Sequence, residues 1–338
     1  MNFAVLTGGG DSSGINDFLY FLAQRLNQEG HTLLGFKNSW QGLVGNEAVA
    51  LDKISLESTR FTPGTILGTA RKNPIKDGQI DLVLANLEAR KVDALIAMGG
   101  DDTLGVAAHL AKSGFNVVGV PQTIDDDLRG TDRSLGFATA VRQAAYNINS
   151  VINSNIAHDR DMIVEIMGRD AGWLALATAL NTPACACMCP EGPMSMEETF
   201  EAMKRYKKTT GKAALAVVAE GIRPEGYDLS DKPRDAFGNI AFEGVSHWVG
   251  AKYQEATGRA PRVQILGYLA RGGAPVPADV ELAALYANQA VDLILAGQSG
   301  KMVAVSGGLP SSLPLEEVVG AKKTIDLEFL VQQLKHLA

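Results

Sequence analysis

Val117-Val118-Gly119-Val120-Pro121-Gln122-Thr123-Ile124-Asp125-Asp126-Asp127 passes within eleven residues from small apolar side chains to three consecutive carboxylates. The apolar run has the length of a buried strand, and Pro121 followed by polar residues predicts a loop at its carboxyl end. Two upstream stretches share this design. Asn2–Leu6 runs into Thr7-Gly8-Gly9-Gly10-Asp11, and Ala94–Ala97 runs into Gly99-Gly100-Asp101-Asp102-Thr103. Each of these is followed by apolar residues at helical spacing, over Gly14–Gln28 and Thr103–Lys112. Strand, turn and helix in repeated order predict an α/β fold with a mainly parallel sheet. Ligands of such sheets bind beyond the carboxyl ends of the strands, so the three turns converge if their strands are neighbours.

The same pattern extends along the chain. Further strands are expected at Thr32–Phe36, Met162–Ile166, Ala184–Met188, Ala214–Val218, Val263–Leu266 and Met302–Val305. Further helices are expected at Gln79–Arg90, Thr139–Val151 and Ala278–Ala296, with Gly221–Gly238 the most loop-like stretch. At 338 residues the chain exceeds the usual size of a single core, which predicts two lobes.

The net charge of −7 argues against a nucleic-acid partner or a membrane surface. No apolar run is long enough for a membrane span, and the first residues lack the basic-then-apolar pattern of a secretory signal. Cys185, Cys187 and Cys189 alternate in Ala-Cys-Ala-Cys-Met-Cys-Pro, which places them on one face of an extended segment. No local His or further Cys completes a metal site, so a buried strand is the expectation, together with a cytoplasmic location.

The turns carry the chemistry. Thr7–Asp11, between strand and helix, offers backbone amides and a helix N-terminus to an anion, yet matches neither the P-loop nor the dinucleotide fingerprint. Gly99–Thr103 repeats that arrangement with carboxylates added. A carboxylate beside a phosphate cradle calls for an intervening cation, which makes Asp101 the candidate ligand of Mg²⁺. An Asp in the 125–127 run can orient and deprotonate an attacking hydroxyl. Arg71, Arg160, Arg169, Arg262 and Arg271 are candidate partners for phosphate, where a bidentate guanidinium serves better than lysine.

Taken together, Leu6–Asn16 (LTGGGDSSGIN), Ile66–Pro74 (ILGTARKNP), Gly99–Thr103 (GGDDT), Pro121–Leu128 (PQTIDDDL), Gly136–Ala140 (GFATA), Val164–Ala177 (VEIMGRDAGWLALA), Val217–Ile222 (VVAEGI) and Arg262–Gly273 (RVQILGYLARGG) resemble the phosphofructokinase family. The resemblance runs from end to end of the chain. It implies two doubly wound, Rossmann-like lobes with the active site in the cleft between them. Residues 1–137 with 269–320 would form the larger lobe, binding donor and magnesium. Residues 138–268 with 321–338 would form the smaller, sugar-phosphate lobe. The implied reaction is Mg²⁺-dependent phosphorylation of the 1-hydroxyl of fructose 6-phosphate, with ATP or pyrophosphate as donor.

By the same resemblance Asp125 is the general base, Asp127 a supporting carboxylate, and Thr123 a neighbour of the transferring phosphoryl group. Arg71 and Arg169 complete the catalytic set, and Asp101 is the magnesium-associated residue. Gly9, Gly10, Asp102 and Gln122 fall at the donor. Met167, Gly168 and Glu220 fall at the sugar hydroxyls. Arg160, Arg262 and Arg271 surround the acceptor's distal phosphate, with Tyr268 where the family often has His. Arg160 and Arg262 reach a neighbouring subunit's site in the family, which implies a homo-oligomer.

Three departures from the family pattern bear on specificity. Asp102 stands where ATP-using members have Gly. A carboxylate there crowds and repels an α-phosphate but spares pyrophosphate, which favours pyrophosphate as donor. Gln122 stands where pyrophosphate-using members have Lys, so a charge is missing while a hydrogen-bond donor remains. Asp126 stands where Asn is usual, and the added carboxylate raises repulsion unless cations offset it. Asn147–Ala157 lacks the basic residues used by allosteric members, so nucleotide regulation is not expected. The alternative readings are an ATP-dependent 6-phosphofructokinase, a kinase of another sugar phosphate such as sedoheptulose 7-phosphate, and a catalytically silent sugar-phosphate-binding subunit.

Overall fold

The computed structural model describes residues 1–192, 194–228 and 244–337. Its strands, in chain order, are β1 Asn2–Thr7, β2 Thr32–Phe36, β3 Ala48–Ala50, β4 Ala94–Gly99, β5 Val117–Pro121, β6 Met162–Ile166, β7 Ala186–Met188, β8 Leu215–Ala219, β9 Arg262–Ile265, β10 Lys301–Ser306 and β11 Leu309–Pro314. They form two sheets. Seven strands lie in the order β11-β10-β5-β4-β1-β2-β3, and four in the order β7-β8-β6-β9.

β10, β5, β4, β1 and β2 pair in parallel, and antiparallel β3 and β11 close the two edges. The chain leaves β1 for β2 on one side and then crosses to β4 on the other. The sheet therefore changes direction between β1 and β4, and a crevice opens at that switch point. The four-stranded sheet is parallel throughout.

β1 and β4 are buried along nearly their whole length, as a sheet covered on both faces requires. One face of the large sheet packs on the helices Ile15–Gln28 and Pro277–Leu295. The other packs on the helices Ile80–Ala89 and Asp101–Lys112. The small sheet has its own core, to which the helix Phe137–Ala157 and the C-terminal residues Ile325, Leu330 and Leu337 contribute.

The nine expected strands form, shifted by at most a residue or two at their ends. β3 and β11 were not expected. Both are antiparallel edges, and β11 reads Leu-Pro-Ser-Ser-Leu-Pro, without the apolar run of a buried strand. The helices Trp173–Leu180, Met196–Thr210, Val245–Thr257 and Leu327–Leu334 also lay outside the expectations. Met196–Thr210 carried a readable signal, since Ser195 and Glu198 make a reciprocal capping box at its start. Gly221–Asp228 is loop, as expected; the rest of Gly221–Gly238 lies outside the described residues. Cys185, Cys187 and Cys189 are free and buried in and beside β7, and the last two sulfurs approach to 3.7 Å.

Two buried carboxylates fix how helices meet the sheets. Asp279 accepts from the backbone N–H of Gly136 at 3.0 Å and of Thr139 at 2.8 Å, capping the helix that leads into the small sheet. Glu165, on β6, accepts from Gly244 N–H at 2.9 Å and Ser246 N–H at 2.8 Å, capping the helix Val245–Thr257. Replacing Asp279 by Ala strands those donors in the interior. It should cost about 3 kcal/mol of unfolding free energy, with a smaller loss for Asp279→Asn, which keeps an acceptor. Urea unfolding of the two variants beside the parent measures this.

Candidate active site

The carboxyl ends of both sheets face one cavity of about 470 Å³. Gly9 and Gly10 reach it after β1, Asp101 and Asp102 after β4, and Gln122, Thr123, Asp125 and Asp127 after β5. From the small sheet come Met167 and Arg169 after β6, Glu220 after β8, and Tyr268 and Arg271 after β9. Arg71 lines it from the loop after Gly68-Thr69-Ala70. Because β5, β4 and β1 are adjacent in the sheet, the three turns do converge.

Local geometry holds these turns close to one another. Gly9 has φ +80°, a conformation favourable to glycine. A side chain at Gly10 would collide with the Arg271 guanidinium, which crosses from the other sheet and donates to the Asp11 carbonyl at 2.8 Å. Thr69 Oγ1 donates to the Gly9 carbonyl at 2.7 Å, tying the Arg71 loop to the glycine turn. Thr123 Oγ1 accepts from Asp125 N–H at 3.2 Å, a local turn that aims the acidic run.

The three adjacent carboxylates have different surroundings. Asp125 is half-buried on the cavity wall, and one of its oxygens has no hydrogen-bond partner. Burial, with repulsion from Asp127, raises its pKa to about 6, against the pull of Arg271, Arg169 and Lys322. Asp127 is buried and receives the Lys322 ammonium at 2.7 Å. Asp126 has φ +52°, a left-handed conformation that Asn and Asp tolerate best, and points away into structure. Its carboxylate accepts from Ser134 N–H at 2.7 Å and pairs with Lys323 at 2.6 Å. Cations thus offset the repulsion expected of Asp126, which serves to fix the loop. Across the cavity, burial followed by the charges of Asp125 and Glu165 raises Glu220 to about 8.

Three expected residues stand outside this cavity. Gly168 is buried behind it, where its carbonyl accepts from Gly221 N–H at 3.1 Å. A glycine with φ +134° allows that close turn, so Gly168 shapes the loop of Met167 and Arg169 and does not line the cavity. Arg160 and Arg262 lie at the opposite end of the small sheet. Arg262 pairs with Met162 at the start of β6, whereas the cavity begins at Glu165, about 10 Å along the strand.

Gln122 also differs from its expected role. Its Nε2 donates to the Gly10 carbonyl at 2.9 Å and contacts Ser12 Oγ at 3.0 Å, so both amide hydrogens are engaged within the protein. Sequence reading missed Trp40, Lys72 and Lys322, all on the cavity wall. The adjacent basic pair Lys322-Lys323 was the available clue to the last, in an acidic chain that has to balance Asp125–Asp127.

Two doubly wound sheets, whose strand ends bring an anion cradle against desolvated carboxylates and arginines, define a phosphotransferase of α/β architecture. The chain belongs to the phosphofructokinase family: the family model Phosphofructokinase matches residues 2–294. A pyrophosphate–fructose 6-phosphate 1-phosphotransferase of Amycolatopsis methanolica is 39% identical over 97% of both chains. An ATP-dependent 6-phosphofructokinase of Corynebacterium efficiens is 37% identical over 97% of this chain and 96% of that one. The fold matches a pyrophosphate-dependent phosphofructokinase from Nitrosospira multiformis with TM-score 0.84 at 19% identity, covering 98% of this chain and 91% of that one. Membership makes this chain a sugar-phosphate kinase of carbohydrate metabolism.

The raised Asp125 has two measurable consequences. In the general-base role expected from the sequence its carboxylate would have to be ionised, so kcat/KM should fall as pH drops through about 6. Asp125→Asn should lower kcat by about 10²- to 10⁴-fold above that pH and remove that limb, so that the difference from the parent narrows at lower pH. The folded chain also keeps this proton to higher pH than the unfolded chain. Asp125 therefore costs stability as pH rises from 3.8 through about 6, and the Asn variant should melt at higher temperature at pH 7. A pH–rate profile and thermal melts at pH 4 and pH 7 test both.

Proposed function

We propose that this chain transfers a phosphoryl group reversibly from pyrophosphate to the 1-hydroxyl of fructose 6-phosphate, giving fructose 1,6-bisphosphate and phosphate. The observation that carries the choice of donor is Asp102. It lies on the cavity wall, in the first turn of the helix Asp101–Lys112 and beside the glycine cradle. An α-phosphate extending past the transferring group would meet this carboxylate, whereas a two-phosphate donor ends before it.

Asp125 takes the proton of the attacking hydroxyl, helped by a pKa raised toward neutrality. The new P–O bond forms at that oxygen as the bridging P–O bond of pyrophosphate breaks. Arg71 and Arg169 face the charge in transit, and the turn Gly9–Gly10 cradles the donor. On the acceptor side Glu220 and Met167 meet the sugar hydroxyls. A protonated Glu220, with a pKa of about 8, can donate a hydrogen bond there. Arg271 and Tyr268 lie toward the distal phosphate; Tyr268 is 82% exposed, as a residue at the cavity mouth would be.

Asp101, on the cavity wall, would hold a magnesium ion jointly with the donor. Among the described residues no cluster of three or more His, Cys, Asp or Glu is arranged to hold a metal alone, and such shared binding requires none. When bound, magnesium neutralises charge on the phosphates.

The lobe division at 137/138, 268/269 and 320/321 belongs to this reading, as does a cytoplasmic location. So does a homo-oligomer, in which Arg160 and Arg262 of a neighbouring subunit complete the distal-phosphate site. Their place at the far end of the small sheet supports that arrangement, because it directs them away from their own cavity.

Purified protein with fructose 6-phosphate and magnesium should turn over with pyrophosphate and respond weakly to ATP. Turnover with ATP alone would overturn the donor assignment. The double variant Asp102→Gly/Gln122→Gly should shift kcat/KM toward ATP by about tenfold or more, since it removes a like-charge clash. Coupled assays with each donor in turn read both results.

A further inference from the structure

The donor side of the cavity presents an electrostatic difficulty. Asp101, Asp102, Asp125 and Asp127 all line it, and a phosphate approaching that wall is repelled unless a cation stands there. Gln122 supplies none: it is neutral, and its amide hydrogens are engaged by Gly10 and Ser12.

Lys322 stands at that wall. Its ammonium lies 2.7 Å from Asp127, 3.6 Å from Asp170 and 3.7 Å from Asp101, and it lines the same cavity. It belongs to none of the three turns. It arrives on the C-terminal tail, which several contacts hold in place. Lys322 bridges Leu128, and Lys323 N–H donates to the Asp127 carbonyl at 2.8 Å. Trp173 Nε1 donates to the Lys323 carbonyl at 2.7 Å, and Ile325 N–H donates to Glu191 at 2.9 Å. With the backbone fixed on both sides, the ammonium has a determined position. The Lys322 side chain remains 26% exposed, as a group open to an incoming ligand must be. An ammonium carries three donors, so it can hold Asp127 and still offer hydrogens to a phosphate.

We infer that Lys322 is a specificity-determining residue for the donor, binding a pyrophosphate oxygen and supplying from the tail the positive charge that position 122 lacks. The inference rests on the pyrophosphate reading above. A structural ion pair with Asp127 alone is the competing role, and the two differ in what they perturb. Lys322→Gln should raise KM for pyrophosphate about tenfold or more, the usual worth of a hydrogen bond to a charged group. KM for fructose 6-phosphate should stay near the parent's, the melting temperature should fall because buried Asp127 loses its partner, and Lys322→Arg should recover most of the pyrophosphate affinity. Titration calorimetry with imidodiphosphate, a non-hydrolysable pyrophosphate analogue, should show the same loss. A pyrophosphate KM and an imidodiphosphate affinity within twofold of the parent's in Lys322→Gln would overturn the inference. So would KM values for both substrates that rise by the same factor. If the parent fails to turn over pyrophosphate, the donor reading fails on its own. The imidodiphosphate titration, which needs no turnover, then decides the case of Lys322 separately.

Discussion

Three carboxylates must be kept together at the end of one strand, largely out of water, and the surrounding structure is organised by that requirement. Each uncompensated charge in such a place costs several kcal/mol, so each has to find a cation, a set of N–H donors or a proton. The chain uses all three solutions in successive residues. Asp127 takes the Lys322 ammonium, Asp126 takes Lys323 and the Ser134 amide, and Asp125 keeps a raised pKa. The residue left least satisfied is the one positioned to accept a proton.

Those compensating groups come from far along the chain. Arg169 and Arg271 reach over from the small sheet and its loops, and the two lysines come from a tail that crosses back to the acidic loop. The cleft is therefore held across by charge. Arg271 illustrates this well: it occupies the space beside Gly10 that any side chain there would fill, and it donates to Asp11. Of the residues that neutralise the acidic loop, Arg169, Arg271 and Lys322 also line the cavity, where under the proposed function they would meet phosphate. Binding phosphate exchanges one set of negative partners for another, which avoids exposing bare cations in between.

Other buried carboxylates are satisfied by amides and hydroxyls of the protein itself. Asp279 and Glu165 each satisfy the first amides of a helix, and Asp161 receives the Ala214 amide at 2.9 Å and the Tyr253 hydroxyl at 2.8 Å. Burial alone thus does not set Asp125 apart in this protein. Asp125 differs in having an oxygen without a partner while lining the cavity.

The amino-acid sequence by itself determined the α/β class, the parallel strands and the three turns that meet at the cavity. Those features are local: apolar runs, glycines and carboxylates at fixed offsets obey short-range geometry, whatever the rest of the chain does. The edge strands β3 and β11 were not legible, because an antiparallel edge is stabilised by its one neighbour and not by its own hydrophobicity. The different fates of Asp125, Asp126 and Asp127 could not be read either, since a pKa depends on burial and on charges brought near only by folding. Gln122 appeared to be a free hydrogen-bond donor until packing engaged both its hydrogens, and Lys322 appeared to be a tail residue until the tail crossed the cleft. Pairings between residues about two hundred positions apart leave no periodic trace in a single sequence. Only the tertiary structure brings them within hydrogen-bonding distance.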